Sequence, residues 1–394
     1  MMENGKFALS GGEVITPDRN LGVATVLVED GKIAGVESGI VDVYEYETVD
    51  VSGSYVMPGF VDIHSHGAGD SDFMDCTEED CLNIAQEHAK HGTTLLFPTT
   101  IASDNDEMMK FLSVYEIVKN QKEGAAFGGL HLEGPYFAYE FRGAQDPKYL
   151  KNPVPEDYMP ILETSNDIKR WSVAPELPGA LEFGRILRER GILPSIAHTS
   201  AIYSDVVKAY EVGYSLITHF YSCMNGVVRR NAFRYAGCIE AGYLIDGMTL
   251  EVICDGIHVP KELLQLIVKV KGTDKVVLCT DSMRGAGMPE GTMSILGSRT
   301  KGQAVIIEDG VAKMPDRSCF AGSVATTDRL VRTMHFIAGQ PLTDSVKMVS
   351  ENPARIMGFG SHKGRLQKGY DADITVCSKD LYAKQTYVMG RRVF

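Results

Sequence analysis

Residues 58–66 read Pro58-Gly59-Phe60-Val61-Asp62-Ile63-His64-Ser65-His66. The run from Phe60 is apolar and strand-like, and alternate residues of an extended strand face the same side. His64 and His66 can therefore point together at its carboxyl end. Seven further apolar, strand-like segments follow with helix-like spacers between them: Thr93–Thr99, Gly128–Leu132, Arg170–Ala174, Ile192–His198, Ser215–Phe220, Leu250–Cys254 and Lys275–Thr280. Strands alternating with helices predict a parallel α/β arrangement, and eight such units fit a closed (β/α)8 barrel of the TIM type. An open doubly wound sheet is the alternative, but no G-x-G-x-x-G loop follows the early strands to favour it.

Outward from this region the pattern changes. Residues 1–57 alternate short β-like runs with turns, as in Val23 to Val28, the turn Glu29-Asp30-Gly31-Lys32, and Ile33 to Val36. Similar material returns near the other end, at Ala304 to Ile307, at Asp373 to Cys377 and in the last residues from Tyr387. Each half is small, so the expectation is one β-sandwich built from both termini. The predicted division is 1–57 and 346–394 for the sandwich, with strands from 300–315 as candidates to join it, and 58–345 for the barrel.

The chain of 394 residues is long enough for a barrel plus a second module, and 44% hydrophobic with 23% charged residues is ordinary for a globular protein. The N-terminal stretch has no signal-like apolar run, and no later stretch reaches the ~18 apolar residues of a membrane span, so a cytoplasmic protein is expected. The eight cysteines form no CxxC pair, which favours reduced thiols. A net charge of −13 opposes general affinity for nucleic acid or an anionic membrane, so an anionic ligand needs local arginines.

Nearly every strand-like segment ends on a metal-ligand type or a general acid/base. His64 and His66 follow the first, Glu133 the third, His198 the fifth, His219 the sixth, His258 the seventh and Asp281 the eighth. Strand carboxyl ends in a barrel converge on one mouth. A lone histidine there is ordinarily structural; so many at successive strand ends describe one metal site. Imidazoles and a carboxylate suit Zn2+ or Fe2+ with a position open for water, whose pKa such an ion lowers to roughly 7. Asp281 is the candidate to take the proton from that water and deliver it to a leaving amine. His88, His91, His335 and His362 lie in helix-like or loop contexts without a partner pattern and receive no role.

The stretch from Pro58 to His66 resembles the first-strand signature of the amidohydrolase superfamily. His131-Leu132-Glu133-Gly134-Pro135-Tyr136, Gly143-Ala144-Gln145, Thr218-His219, Asp255-Gly256-Ile257-His258, Thr280-Asp281-Ser282-Met283 and Ala321-Gly322-Ser323 are similar to the N-acetylglucosamine-6-phosphate deacetylase family. The resemblance runs over almost the whole chain, and the HLEGP segment is its specific part. It implies a metal-dependent hydrolase that removes the acetyl group from an N-acetylated amino sugar 6-phosphate. It also implies Glu133, His198 and His219 as ligands of the essential ion, Asp281 as the acid/base and a homodimer. With both HxH histidines present, a second ion held by His64, His66 and Asp281 with Glu133 bridging is expected, and no lysine is placed to serve as a carbamylated bridge.

For the substrate, the same resemblance implies Ala144, Gln145, Ser222, Cys223, Arg230, His258, Phe320, Ala321 and Gly322. Arg230 stands at the offset from His219 where the family carries its phosphate-binding arginine, often reaching into the neighbouring subunit's site. The chain departs from the family after His219, with Ser222-Cys223-Met224 and then Val228-Arg229-Arg230-Asn231-Ala232-Phe233-Arg234. That departure bears on which sugar is bound, N-acetylgalactosamine 6-phosphate being the neighbouring choice. Cyclic-amide hydrolysis, deamination and a non-catalytic sugar-phosphate sensor are the other readings.

Overall fold

The computed structural model describes residues 5–394. All eight expected strands are present and parallel: β1 (Phe60–Ser65), β2 (Thr93–Pro98), β3 (Leu130–Glu133), β4 (Ile168–Val173), β5 (Leu193–Ile196), β6 (Leu216–Ile217), β7 (Thr249–Ile253) and β8 (Val276–Cys279). β3 to β8 pair in chain order in one sheet, while β1 and β2 pair in another with Ala126–Phe127 at its edge. Isolated parallel bridges join the two sheets at both margins, Thr99 to His131 after β2 and Ser65 to Ser282 between the ends of β1 and β8.

β1 is buried along its whole length, with Phe60, Val61 and Ile63 packed in the core and Asp62, His64 and Ser65 buried beside them. Its entry is tight. A Cβ added at Gly59 would lie 2.2 Å from Thr94 Oγ1, so only glycine lets the chain pass β2 this closely. Helix α1 (Glu78–Ala89) follows, with the Thr77 side chain accepting from the Asp80 N–H and three acidic residues in its first turn.

The termini do meet. Lys6–Ile15 pairs with Asn20–Glu29 on one side and with Glu47–Asp50 and Tyr55–Pro58 on the other, and Tyr55–Pro58 pairs antiparallel with Ile374–Cys377. An eight-stranded sheet thus carries both ends of the chain. The Asp30-Gly31 turn closes its second hairpin, with Glu29 facing Lys32 and both turn residues at positive φ (48° and 78°), as a two-residue hairpin loop requires.

One of the expected assignments is corrected. Gln303–Glu308 and Val311–Lys313 pair with Met293–Leu296 in a three-stranded sheet of their own and do not join the terminal sheet. They bury Leu296, Val305 and Ala312 against Met283 and Ala321, just past β8, so the apolar face of this insert is already covered there. The helix Leu342–Val349 spans the expected break at 345/346 and packs on β8 and β1 and also against Lys6–Ile15 of the terminal sheet. All eight cysteines are unpaired. Among the described residues no helix is long and apolar enough to cross a membrane.

Candidate active site

His198, His219 and Asp281 each stand two residues beyond the last residue of their strand, β5, β6 and β8 respectively. All three adopt left-handed backbone, at φ 46°, 31° and 47°. A non-glycine residue in this region costs about 1–2 kcal/mol. Three such residues at matching positions indicate strain held in place by the surrounding structure at a functional site.

Their side chains converge with those of β1 and β3. Glu133 Oε1 lies 3.4 Å from His64 Nε2, 3.6 Å from His198 Nε2 and 3.3 Å from His219 Nε2, and its Oε2 is 3.5 Å from His66 Nε2. Asp281 Oδ1 is 3.3 Å from His64 Nε2 and 3.2 Å from His66 Nε2, and the His198 and His219 Nε2 atoms are 3.2 Å apart. His64, His66 and Glu133 form one possible donor group, and Glu133, His198 and His219 a second, so the two share Glu133. Donors bound to a divalent first-row ion at ~2.1 Å in a tetrahedron are about 3.4 Å apart, which is the spacing seen here. His64 Nε2 is buried without a hydrogen-bond partner, an orphan that a cation between these atoms would satisfy. The donor set fits a divalent metal.

Electrostatics agree. Burial pushes the Glu133 carboxyl upward, but His64, His198, His219 and His66 outweigh it and hold the carboxyl well below the usual range. Burial opposes charge on His66 as well, yet Asp281 and Glu133 raise it to about 9. The cluster attracts positive charge to its centre, and a metal binding there must displace those protons.

A cavity of about 560 Å³ opens over this cluster. His66, Glu133, His198, His219 and Asp281 form its floor, and the expected Ala144, Gln145, Ser222, Cys223, His258, Phe320 and Gly322 line it. Gln145 is held at both ends of its amide, accepting from the Ala102 N–H at 2.9 Å and donating to Glu133 Oε2 at 2.9 Å. Ala321 is buried behind the lining, its N–H donated to Ala312 O. Arg230 is not part of the lining. It stands on an exposed hairpin, Val228–Arg230 with Phe233–Tyr235, its guanidinium 5.9 Å from the Tyr235 ring. Lys313 and Arg317, which the sequence reading did not name, reach the cavity from the three-stranded insert.

An amidohydrolase family model matches residues 55–393. The chain is 32% identical over 370 residues to the N-acetylglucosamine-6-phosphate deacetylase of Lysinibacillus sphaericus, covering 93% of this chain and 92% of that one. The chain belongs to the N-acetylglucosamine-6-phosphate deacetylase family of amidohydrolases. An N-acetylgalactosamine-6-phosphate deacetylase of Escherichia coli O157:H7 is also similar, at 27% identity over 92% of this chain and 93% of its own length. The fold matches that of the Mycobacterium smegmatis N-acetyl-D-glucosamine-6-phosphate deacetylase, solved in complex with N-acetyl-D-glucosamine-6-phosphate. The TM-score is 0.91 at 26% identity, covering 99% of this chain and 100% of that one.

The supports of this amidohydrolase site escaped the sequence reading. His64 Nδ1 bonds Glu251 Oε1 at 2.8 Å, and the fully buried Glu251 carboxylate is in turn held by the fully buried Arg170 guanidinium. His198 Nδ1 donates to Phe141 O at 2.8 Å, and His258 Nδ1 donates to Asp255 Oδ2 at 2.7 Å. The signal for two of them was present: Glu251 stands among apolar residues of β7 and Arg170 beside Trp171 in β4, strand-interior positions that charged residues occupy only when paired. Such outer-shell partners fix ring orientation and typically account for 10–100-fold in metal affinity. Glu251→Gln is expected to weaken metal binding at the His64 group by about that factor, read by calorimetric titration of metal-stripped protein. Wild-type affinity would show that His64 needs no such anchor.

Proposed function

We propose that this chain hydrolyses the acetamido bond of N-acetylglucosamine 6-phosphate, giving glucosamine 6-phosphate and acetate in amino-sugar catabolism. The observation that carries the reading is the meeting of His66, Glu133, His198, His219 and Asp281 on the floor of one cavity, with His64 grouped beside them. The family membership supports the same chemistry. We read the eight parallel strands, bridged at both margins, as a (β/α)8 barrel and the terminal sheet as a β-sandwich. On this reading the barrel takes in residues 58–345 and the sandwich 1–57 with 346–394, the helix across the 345/346 break touching both.

Glu133, His198 and His219 are proposed to hold one divalent ion, Zn2+ or Fe2+, and His64, His66 and Asp281, with Glu133 shared, a second. A divalent ion held there would supply a Lewis acid for the amide carbonyl and a more acidic water at neutral pH. The protein's own groups do the rest. Asp281 is held below the usual carboxylate range: burial opposes this, and the His64 and His66 imidazoles outweigh it. It is therefore ionised and able to take the proton from the attacking water and pass it to the leaving nitrogen. Gln145, fixed by the Ala102 N–H, keeps one amide hydrogen beyond the one given to Glu133, and His258, anchored through Nδ1 on Asp255, has Nε2 left for the substrate. Gln145 is the donor proposed for the carbonyl oxygen and His258 Nε2 the acceptor proposed for a sugar hydroxyl, with Ala144, Ser222, Cys223, Phe320, Ala321 and Gly322 shaping the pocket.

Arg230 is proposed as the phosphate ligand of a cytoplasmic homodimer, reaching the cavity of a second copy. Its exposure on a hairpin outside its own chain's cavity supports that arrangement. Arg230→Ala is expected to lower kcat/KM for the phosphorylated sugar about 10–100-fold, the worth of a charge-assisted contact, and to leave the unphosphorylated sugar nearly unaffected. Equal losses on both substrates would remove the phosphate role.

The altered segment from Ser222 to Arg234 and the similar E. coli protein keep N-acetylgalactosamine 6-phosphate as a second reading. Acetate release from both phosphorylated epimers and their unphosphorylated forms decides between them. No release from any of the four would overturn the proposal.

A further inference from the structure

We propose that His88, near the carboxyl end of α1, is a positioning residue that locks the ends of β1 and β8 together and so sets the distance between the HxH pair and Asp281. The proposal rests on the assignment of His64, His66 and Asp281 to the site above.

The seam between β1 and β8 is where two halves of that site meet. The Asp281 N–H donates to His64 O at 2.9 Å, and the N–H groups of His66 and Gly67 donate to Ser282 O at 2.8 and 3.1 Å. Ligand residues on both sides of the seam are thus carried by a few backbone bonds, not by a full ladder. Behind them lies a buried polar knot. Ser65, between the two histidines, and Ser282, next to Asp281, approach each other with their Oγ atoms 2.9 Å apart. His88 Nε2 reaches both, at 2.9 Å from Ser65 Oγ and 3.3 Å from Ser282 Oγ.

The hydrogens in this knot can be assigned. Ser282 Oγ donates to Gly67 O at 2.9 Å, which uses its one hydrogen. Ser65 must then donate to Ser282, which uses Ser65's. Only His88 has a hydrogen left for its contacts, so Nε2–H is the donor to Ser65 and Ser282. Burial pushes the His88 imidazole down to about 3, consistent with a neutral ring in that tautomer. The Nδ1 side faces Asp62 Oδ2 at 3.7 Å, and Asp62 accepts from Thr280 Oγ1 at 2.6 Å, adding a second tie across the same seam. His88 is 4% exposed and touches neither the cavity lining nor the donor atoms, so it acts through the two serines.

The test compares His88→Leu, which fills the space without a donor, with His88→Gln, whose amide can place an N–H near the position of Nε2. Metal titration of chelator-stripped protein, kcat, KM and Tm are measured for both. His88→Leu is expected to weaken metal binding and to lower kcat about 10–100-fold each, the range for outer-shell partners, with KM unchanged, and His88→Gln to recover most of both. If His88→Leu does not fold, Ser282→Ala removes the same link from the other side and is expected to give the same split. Wild-type affinity and turnover in a folded His88→Leu or Ser282→Ala variant would overturn the proposal, and so would equal losses in His88→Gln, which would assign the effect to packing alone. Failure of the wild-type protein to deacetylate any sugar overturns the proposed function instead, and the metal titrations still decide the role of His88.

Discussion

Asp281→Asn is expected to lower turnover by about 10²–10⁴-fold, the usual contribution of a positioned general acid/base, while the protein still folds and binds the sugar. The geometry makes the substitution a clean one. Asp281 sits at φ 47°, a left-handed conformation that asparagine tolerates as well as aspartate does, so the backbone is not asked to move. What changes is the chemistry at one buried oxygen, 3.2 Å from His66 Nε2 and 3.3 Å from His64 Nε2. An amide cannot accept and return the proton, and its NH2 face is repelled by any donor hydrogen or cation at those positions. The measurement is kcat beside the dissociation constant for the sugar phosphate. A variant with wild-type turnover would sink the assigned mechanism. Loss of one metal equivalent in the same variant would support the ligand role proposed for Asp281 beside its acid/base role.

Glu133→Gln is expected to remove metal more completely than any outer-shell change, by more than the ~10–100-fold typical of such partners, with activity lost in proportion. Glu133 is the one side chain common to both donor groups. Its Oε1 faces His64, His198 and His219, and its Oε2 faces His66 and accepts from Gln145. A glutamine must turn its NH2 toward one of these faces. Toward Oε2 it meets the Gln145 amide donor; toward Oε1 it meets three imidazoles poised to bind a cation. Either orientation places a donor where an acceptor is needed, and the negative charge that balances the histidines is gone as well. Metal stoichiometry of the purified variant is the direct readout. Full occupancy with full activity would take Glu133 out of the ligand set.

The parts of this protein legible in its sequence are those with a local cause. Each of the eight parallel strands announces itself by a short run rich in apolar residues, and β4, read as Arg170–Ala174, is a full strand from Ile168 to Val173. The residues at strand ends were equally legible, because a barrel-like arrangement sends every carboxyl end to one side, so His64, His66, Glu133, His198, His219 and Asp281 could be grouped before any coordinates. The Asp30-Gly31 turn was readable for the same kind of reason: positive φ at both residues is a demand on those two residues alone.

Tertiary structure decided what depends on a partner distant in the chain. The Glu251 charge pairs with Arg170, 81 positions away, and orients His64, 187 positions away. The knot of His88 with Ser282 spans 194 positions. The strands at Gln303–Glu308 and Val311–Lys313 were visible as strands, yet their partner was not, and they built one wall of the cavity with Lys313 instead of extending the terminal sheet. Arg230 likewise had a recognisable offset from His219, but only the fold put it on an exposed hairpin away from its own chain's cavity. Periodicity and turn chemistry act between residues a few positions apart, and the sequence displays them directly. Hydrogen-bond partners, ion pairs and cavity walls form between residues brought together by chain closure, and only the packed structure selects among the many pairs the sequence allows.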